Sequence, residues 1–259
     1  MYETIELRKD GRKAVLTLNR PASMNAMDDV MMKELAEALE SLKGDSGTQV
    51  LIIKGEGRTF SAGGDIKKMA DPEAPLDMTE MMQYITRLSK AIYFLPQITI
   101  ASIHGSAAGL GFTLALACDI IIAEEDSKLA MNFIGIGLVP DGGGHFFLQE
   151  RIGSVNAKKM IWGGEVLDAK TANAAGLVDD LVPNGQADRA ADEIASSLLH
   201  APVSAMIATK HILHESKRAE LEAVLSHEAD AQIAMRQTND HQEGIRAFIE
   251  KRQPEFKGN

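Results

Sequence analysis

SAGGDIKKM (61–69) and HGSAAGLGFTLALACDI (104–120) are two glycine-rich turns about forty residues apart, and their reading decides the fold. Each follows a β-branched run with the composition of a buried strand, QVLIIKG (49–55) and QITIASIHG (97–105), and each runs on into a helix-like stretch. A strand that turns sharply into a helix leaves backbone amides unpaired at the helix start, where the helix dipole also favours negative charge. Two such turns side by side can hold one developing oxyanion. Taken alone, either turn is equally a place where glycine only permits positive φ or close helix–strand packing.

Working outward, the first half alternates strand and helix. ETIELR and AVLTLNR form a predicted hairpin, a helix is expected over 28–42 with Asp28 as its N-cap, and strand 49–55 follows. A Met-rich helical region at 77–95, strand 98–103, helix 109–117 and strand 119–123 complete the pattern. Such alternation predicts α/β layers with crossover connections. The segment ADPEAPLD (70–77) has turn composition and is a candidate substrate-covering loop or, equally, a plain solvated connection. Beyond residue 185 the pattern is helical only, which predicts a core over 1–185 and a helical lobe over 186–259.

Composition narrows the function. The chain of 259 residues is 45% apolar and 25% charged, ordinary for a globular protein with a sizeable core. With 27 basic and 37 acidic residues the net charge is −10, which argues against nucleic acid or an anionic membrane as the main partner. Cys118 is the one cysteine, in the apolar run LALACDIII, so it reads as a buried structural thiol in a reducing compartment; a cytoplasmic location is expected. No secretory h-region and no apolar stretch of membrane-spanning length is evident. The seven histidines lack metal-ligand spacing with Cys118, so no metal site is expected.

Together with VLTLNRPASMNAM (15–27), GIGLVPDGGG (135–144), GEVLDAKTANAAGLVDDLVP (164–183) and EGIRAFIEKRQPEFKG (243–258), the two turns resemble the crotonase family, the enoyl-CoA hydratase/isomerase superfamily. The resemblance spans essentially the whole chain in family order. It implies a spiral of ββα turns with a helical C-terminal lobe, assembly as trimers or dimers of trimers, and an acyl-CoA substrate whose CoA needs no separate cofactor. The tail residues Leu221, Val224, Leu225, Ile233, Ile245 and Phe248 offer apolar surface for that assembly.

An enzyme acting through a thioester enolate must stabilise charge on the carbonyl oxygen with fixed donors. By resemblance the donors are the N–H groups of Gly64 and Leu110, and the glycines beside them, including Gly109, allow close approach of the thioester. The turn of Ser61, Ala62, Gly63, Gly64, Asp65 and Ile66 resembles the adenine-binding segment, with Asp65 fixing the turn or capping the next helix rather than acting in catalysis. Arg58 and Lys67, and less strongly Lys251 and Arg252, are candidate phosphate partners or simply solvated charges. Met69, Met78, Met81, Met82 and Tyr84 are candidate acyl-tunnel residues or plain helix core.

Family hydratases carry one glutamate two residues after the GxG of the second turn and another seven residues before the proline of the third motif. Here Thr113 and Phe133 occupy those positions, and neither can transfer a proton at neutral pH. Phe133 is then a candidate substrate-binding residue. Asp141, directly after Pro140, is a replacement carboxylate. A Pro-Asp-Gly stretch is first of all turn and N-cap chemistry for a helix through HFFLQERIG. By resemblance, though, the position matches the base of peroxisomal-type enoyl-CoA isomerases and of phenylacetate-pathway epoxyacyl-CoA isomerases. One carboxylate in an apolar wall of Phe133, Ile136, Leu138 and Phe146 suits isomerisation, since it can take a proton from one carbon and return it to another. His104 and His145 read as packed or capping residues, and Asp119 as structural. A hydratase-type lyase with atypical acid and base residues, and a non-catalytic acyl-CoA-binding protein, are the alternatives.

Overall fold

The runs VLIIKG and ITIASI have almost no polar position, so strands built from them need cover on both faces, which a parallel sheet between helices supplies. The computed structural model, which describes residues 2–69 and 77–259, has that arrangement. In chain order it comprises β1 (Ile5–Asp10), β2 (Lys13–Leu18), α1 (Asp29–Lys43), β3 (Val50–Gly55), α2 (Ile66–Met69), α3 (Met78–Tyr93), β4 (Ile98–Ile103), β5 (Ser106–Ala108), α4 (Leu110–Leu116), β6 (Ile120–Glu124), β7 (Lys128–Ala130), α5 (Gly144–Gly163), β8 (Val166–Asp168), α6 (Ala169–Ala174) and β9 (Asp180–Val182). Four helices follow: α7 (Ala187–His200), α8 (Val203–Ser216), α9 (Arg218–Met235) and α10 (Asn239–Glu250).

The larger sheet runs β1-β2-β3-β4-β6-β9 and is parallel apart from the β1–β2 hairpin. The smaller sheet runs β5-β7-β8. Two ββα units contribute one strand to each sheet: β4 pairs in the large sheet and β5 in the small one before α4, then β6 and β7 do the same before α5. This is the expected crotonase-type α/β spiral. The helix expected over 28–42 is α1, and Asp28 caps it by accepting from the Met31 N–H at 2.9 Å. Of the candidate loop at 70–77, residues 70–76 lie outside the described residues; Asp77 caps α3 through the N–H groups of Thr79 and Glu80.

The helices after residue 186 close the same cores as the sheets. Ala191 and Ala195 of α7 pack with Val50, Ile52, Ile100 and Ile122 on one face of the large sheet. Leu221 and Leu225 of α9 are fully buried in the main core, so these two, expected as apolar surface for assembly, are used within the chain. A buried ion pair adds a polar tie: Lys210 Nζ of α8 donates to Asp119 Oδ2 at 2.6 Å and to the Gln97 carbonyl at 2.7 Å. Asp119 also accepts from Thr99 N and Oγ1, which makes it structural, as read from the sequence. Burial pushes the Cys118 thiol up to about 12, so it is an inert core residue.

Candidate active site

The two glycine turns are bonded to each other. Ser61 donates its N–H to the Ser106 carbonyl and accepts the Ala108 N–H on its own carbonyl, each at 3.0 Å, extending β5 by one bridge to the first turn. Glycine is needed where they cross. Gly63 sits at φ +89°, where a Cβ would lie 2.5 Å from the Ala108 carbonyl oxygen, and a Cβ on Gly111 would lie 2.6 Å from the Ser61 side chain. Gly109, at φ +51°, is the N-cap of α4, so Leu110 is the first residue of that helix and its N–H has no intrahelical acceptor. Among the described residues, neither the Gly64 nor the Leu110 N–H donates to another protein group.

Gly64 and Leu110 line one cavity of about 340 Å³, together with Asp141, Phe133, Ile136 and Leu138. Ala62, Ile66 and Gly109 also reach it, as do Met69, Met78 and Met81, whereas Met82 belongs to the core and the Tyr84 hydroxyl donates to Glu80. Ser61 and Gly63 stand behind the wall: the Ser61 hydroxyl donates to the Asn25 carbonyl and accepts the Gly63 N–H. Asp65 caps α2 through the Lys68 N–H and accepts two guanidinium N–H groups from Arg20 at 3.1 Å each. Arg20 also pairs with Asp28, clamping the first turn to α1.

Thr113 is turned away from the cavity, with its hydroxyl donating to the Gly109 carbonyl at 3.3 Å. The Phe133 ring lies against Gly109 on the cavity wall. Phe146, expected in the apolar wall, instead faces the core, edge-on to Tyr93 and Phe147. His104 Nε2 bonds the Gly57 carbonyl.

Asp141 is 7% exposed. Its Oδ2 accepts from Gln232 Nε2 at 3.2 Å, while Oδ1 is buried with no hydrogen-bond partner among the described residues. The helix-cap reading of this side chain fails: α5 has Gly143 at its N-cap, and only the Asp141 main-chain carbonyl meets the helix, accepting the Gly144 N–H at 3.1 Å. Glu228 of α9 does that work instead, accepting the N–H groups of Gly143 at 2.6 Å and His145 at 3.0 Å and bonding His145 Nδ1 at 2.7 Å. Burial first, and the Glu228 charge second, push the Asp141 carboxyl up to about 8, while Arg236 acts in the opposite sense. One carboxyl poised near neutrality thus shares a cavity with two unpaired amides. Such an arrangement can hold negative charge on an oxygen and move one proton beside it.

A family model described as Enoyl-CoA hydratase/isomerase matches residues 10–259. The chain belongs to the enoyl-CoA hydratase/isomerase family. Among its relatives, YhaR of Bacillus subtilis, named for the same enoyl-CoA hydratase/isomerase family, is 46% identical over 98% of this chain and 99% of its own. The 1,2-epoxyphenylacetyl-CoA isomerase of Escherichia coli is 33% identical over 94% of each chain. An enoyl-CoA hydratase of Mycobacterium avium subsp. paratuberculosis superposes with a TM-score of 0.90 at 31% identity, covering 99% of this chain and all of its own.

Three groups of this enoyl-CoA hydratase/isomerase family member were missed in the sequence, all from α9 and its end: Glu228, Gln232 and Arg236. The signal was present. The apolar stripe that starts at Leu221 and Leu225 continues at helical spacing through Glu228 and Gln232, both buried, to Arg236, so polar side chains occupy core-facing positions. Nothing in the sequence showed that this face meets the Pro140–Asp141 turn, about 90 residues earlier.

Proposed function

We propose that this enzyme is an enoyl-CoA isomerase that shifts a double bond through a dienolate, with Asp141 as its single proton carrier. The observation that carries the reading is the Asp141 carboxyl, buried, raised to about 8 and with Oδ1 unpartnered, in a site where Thr113 and Phe133 occupy the hydratase glutamate positions. In this reading the carboxylate takes a proton from C2 of a 3-enoyl thioester. The Gly64 and Leu110 N–H groups hold the charge that moves to the carbonyl oxygen, and the same proton returns at C4 to give the 2-enoyl thioester. No proton is gained or lost overall, so no second acid is required. Phe133, Ile136 and Leu138 line the cavity without adding a second acid or base. We place the enzyme in the cytoplasm, as a homotrimer or a dimer of trimers.

The test is Asp141→Asn assayed with a 3-enoyl-CoA and a trans-2-enoyl-CoA. Asparagine keeps a side-chain acceptor and donor but cannot carry the proton, so isomerisation is expected to fall by about two to four orders of magnitude with ester affinity held. The parent protein should convert the 3-enoyl ester without accumulating 3-hydroxyacyl-CoA. An Asn variant that isomerises at the parent rate, or a parent that only hydrates, would overturn the assignment.

A further inference from the structure

Arg236 lies one helical turn beyond Gln232, immediately after α9, and lines the same cavity as Asp141. Its Nε and Nη2 are buried and, among the described residues, have no hydrogen-bond partner. Asp141 influences it through space, yet among the described residues no carboxylate stands within ion-pair distance of it. Guanidinium nitrogens removed from water and left unpaired are strongly unfavourable, and the cavity that Arg236 lines with Asp141 and Gln232 also has Met32, Met81, Ile85, Ile136 and Phe248 in its wall. The planar fork of a guanidinium fits a carboxylate in a two-point contact. A plain alkyl chain would leave these donors unsatisfied and would meet a cation in its tunnel.

We propose that Arg236 is a carboxylate-binding subsite, and that the preferred substrates are acyl-CoA thioesters whose acyl chain ends in a carboxylate. This deepens the proposed function and rests on its reading that the cavity takes the acyl arm of the thioester. Arg236 and Asp141 line the same cavity, so one acyl chain can reach both. The phosphates of CoA are the other anionic oxygens such a ligand carries. They are strongly hydrated groups, whereas the two unpaired nitrogens have no solvent contact.

Adipyl-CoA and hexanoyl-CoA, equal in chain length and lacking a double bond to react, separate these cases by titration calorimetry. The parent protein is expected to bind adipyl-CoA at least tenfold more tightly, and Arg236→Met to lower adipyl-CoA affinity to about that of hexanoyl-CoA. Equal or tighter binding of hexanoyl-CoA by the parent overturns the subsite. Weakening of both esters by the same factor in Arg236→Met also overturns it, assigning the guanidinium to the CoA phosphates. If Arg236→Met does not fold, Arg236→Lys and the parent comparison still decide, since a point charge without the fork should retain only part of the preference. Asp141→Asn titrated in parallel keeps the two readings apart: an adipyl-CoA preference that survives there, beside unimpaired isomerisation, would remove the isomerase assignment and leave the subsite standing.

Discussion

At the scale of single residues, the proposed isomerisation rests on where Asp141 keeps its proton. Its carboxyl is raised from the ordinary value near 3.8 to about 8, so between those values the folded protein holds a proton that the unfolded chain has released. Stability from this group is therefore fully present below about pH 4, declines as pH rises towards 8, and is flat above. Urea unfolding at several pH values should show this decline in the parent and not in Asp141→Asn. Activity should move the other way: kcat/KM for a 3-enoyl-CoA should rise with pH through about 8, as the base form appears. A profile flat from pH 6 to 9 would remove Asp141 as the proton carrier. That this carboxylate belongs to the candidate site was legible, since it follows Pro140 with Thr113 and Phe133 upstream, and the structure puts it in the cavity wall. Its freedom from the helix cap was not, because Pro-Asp-Gly is good cap chemistry and the competing cap, Glu228, comes from a distant helix.

At the scale of elements, two helix starts meet beside the candidate site, where a Cβ on Gly142 would lie 2.7 Å from Leu110 Cδ1, and they are finished differently. α4 leaves its first N–H unpaired at Leu110, whereas α5 is closed by a buried carboxylate from α9. Proline suits the first position of a helix, and Gly109 has the conformational freedom to precede it, so Leu110→Pro should fold while losing one donor. Isomerisation is expected to drop on the order of a hundredfold or more; unchanged activity in a folded variant would exclude that amide. Glu228→Gln removes a charge that pushes Asp141 upward and weakens the closure of α5. The expected outcome is a loss of about 1–3 kcal/mol in unfolding free energy together with an acid shift of the activity profile, and a stability loss with an unmoved profile would show that Glu228 acts on the helix alone. Strand and helix positions were readable from β-branched runs and caps. The short strands β5, β7 and β8, at three residues each, carry too little periodicity to be seen.

At the scale of the whole molecule, the helical tail completes the sheet core and still leaves apolar residues outside. Val155 and Trp162, seven apart on α5, are 61% and 69% exposed, Val166 of β8 is 61% exposed, and Phe248 and Ile249 of α10 are more than half exposed. The sequence pointed to the tail as the sticky surface, but could not tell Leu221 and Leu225, which α9 turns inward, from Phe248, which α10 turns out. Apolar side chains that one chain leaves in water favour association with copies of itself. Sedimentation equilibrium at micromolar concentration should therefore give a mass three or six times the 28.0 kDa of the chain. The doubly substituted Val155→Glu, Trp162→Glu protein should shift towards smaller species while retaining its far-ultraviolet circular dichroism, because both side chains already lie outside the core. A parent protein that sediments as a monomer would refute the assembly, and an unshifted double variant would move the contact away from α5 to the α10 face.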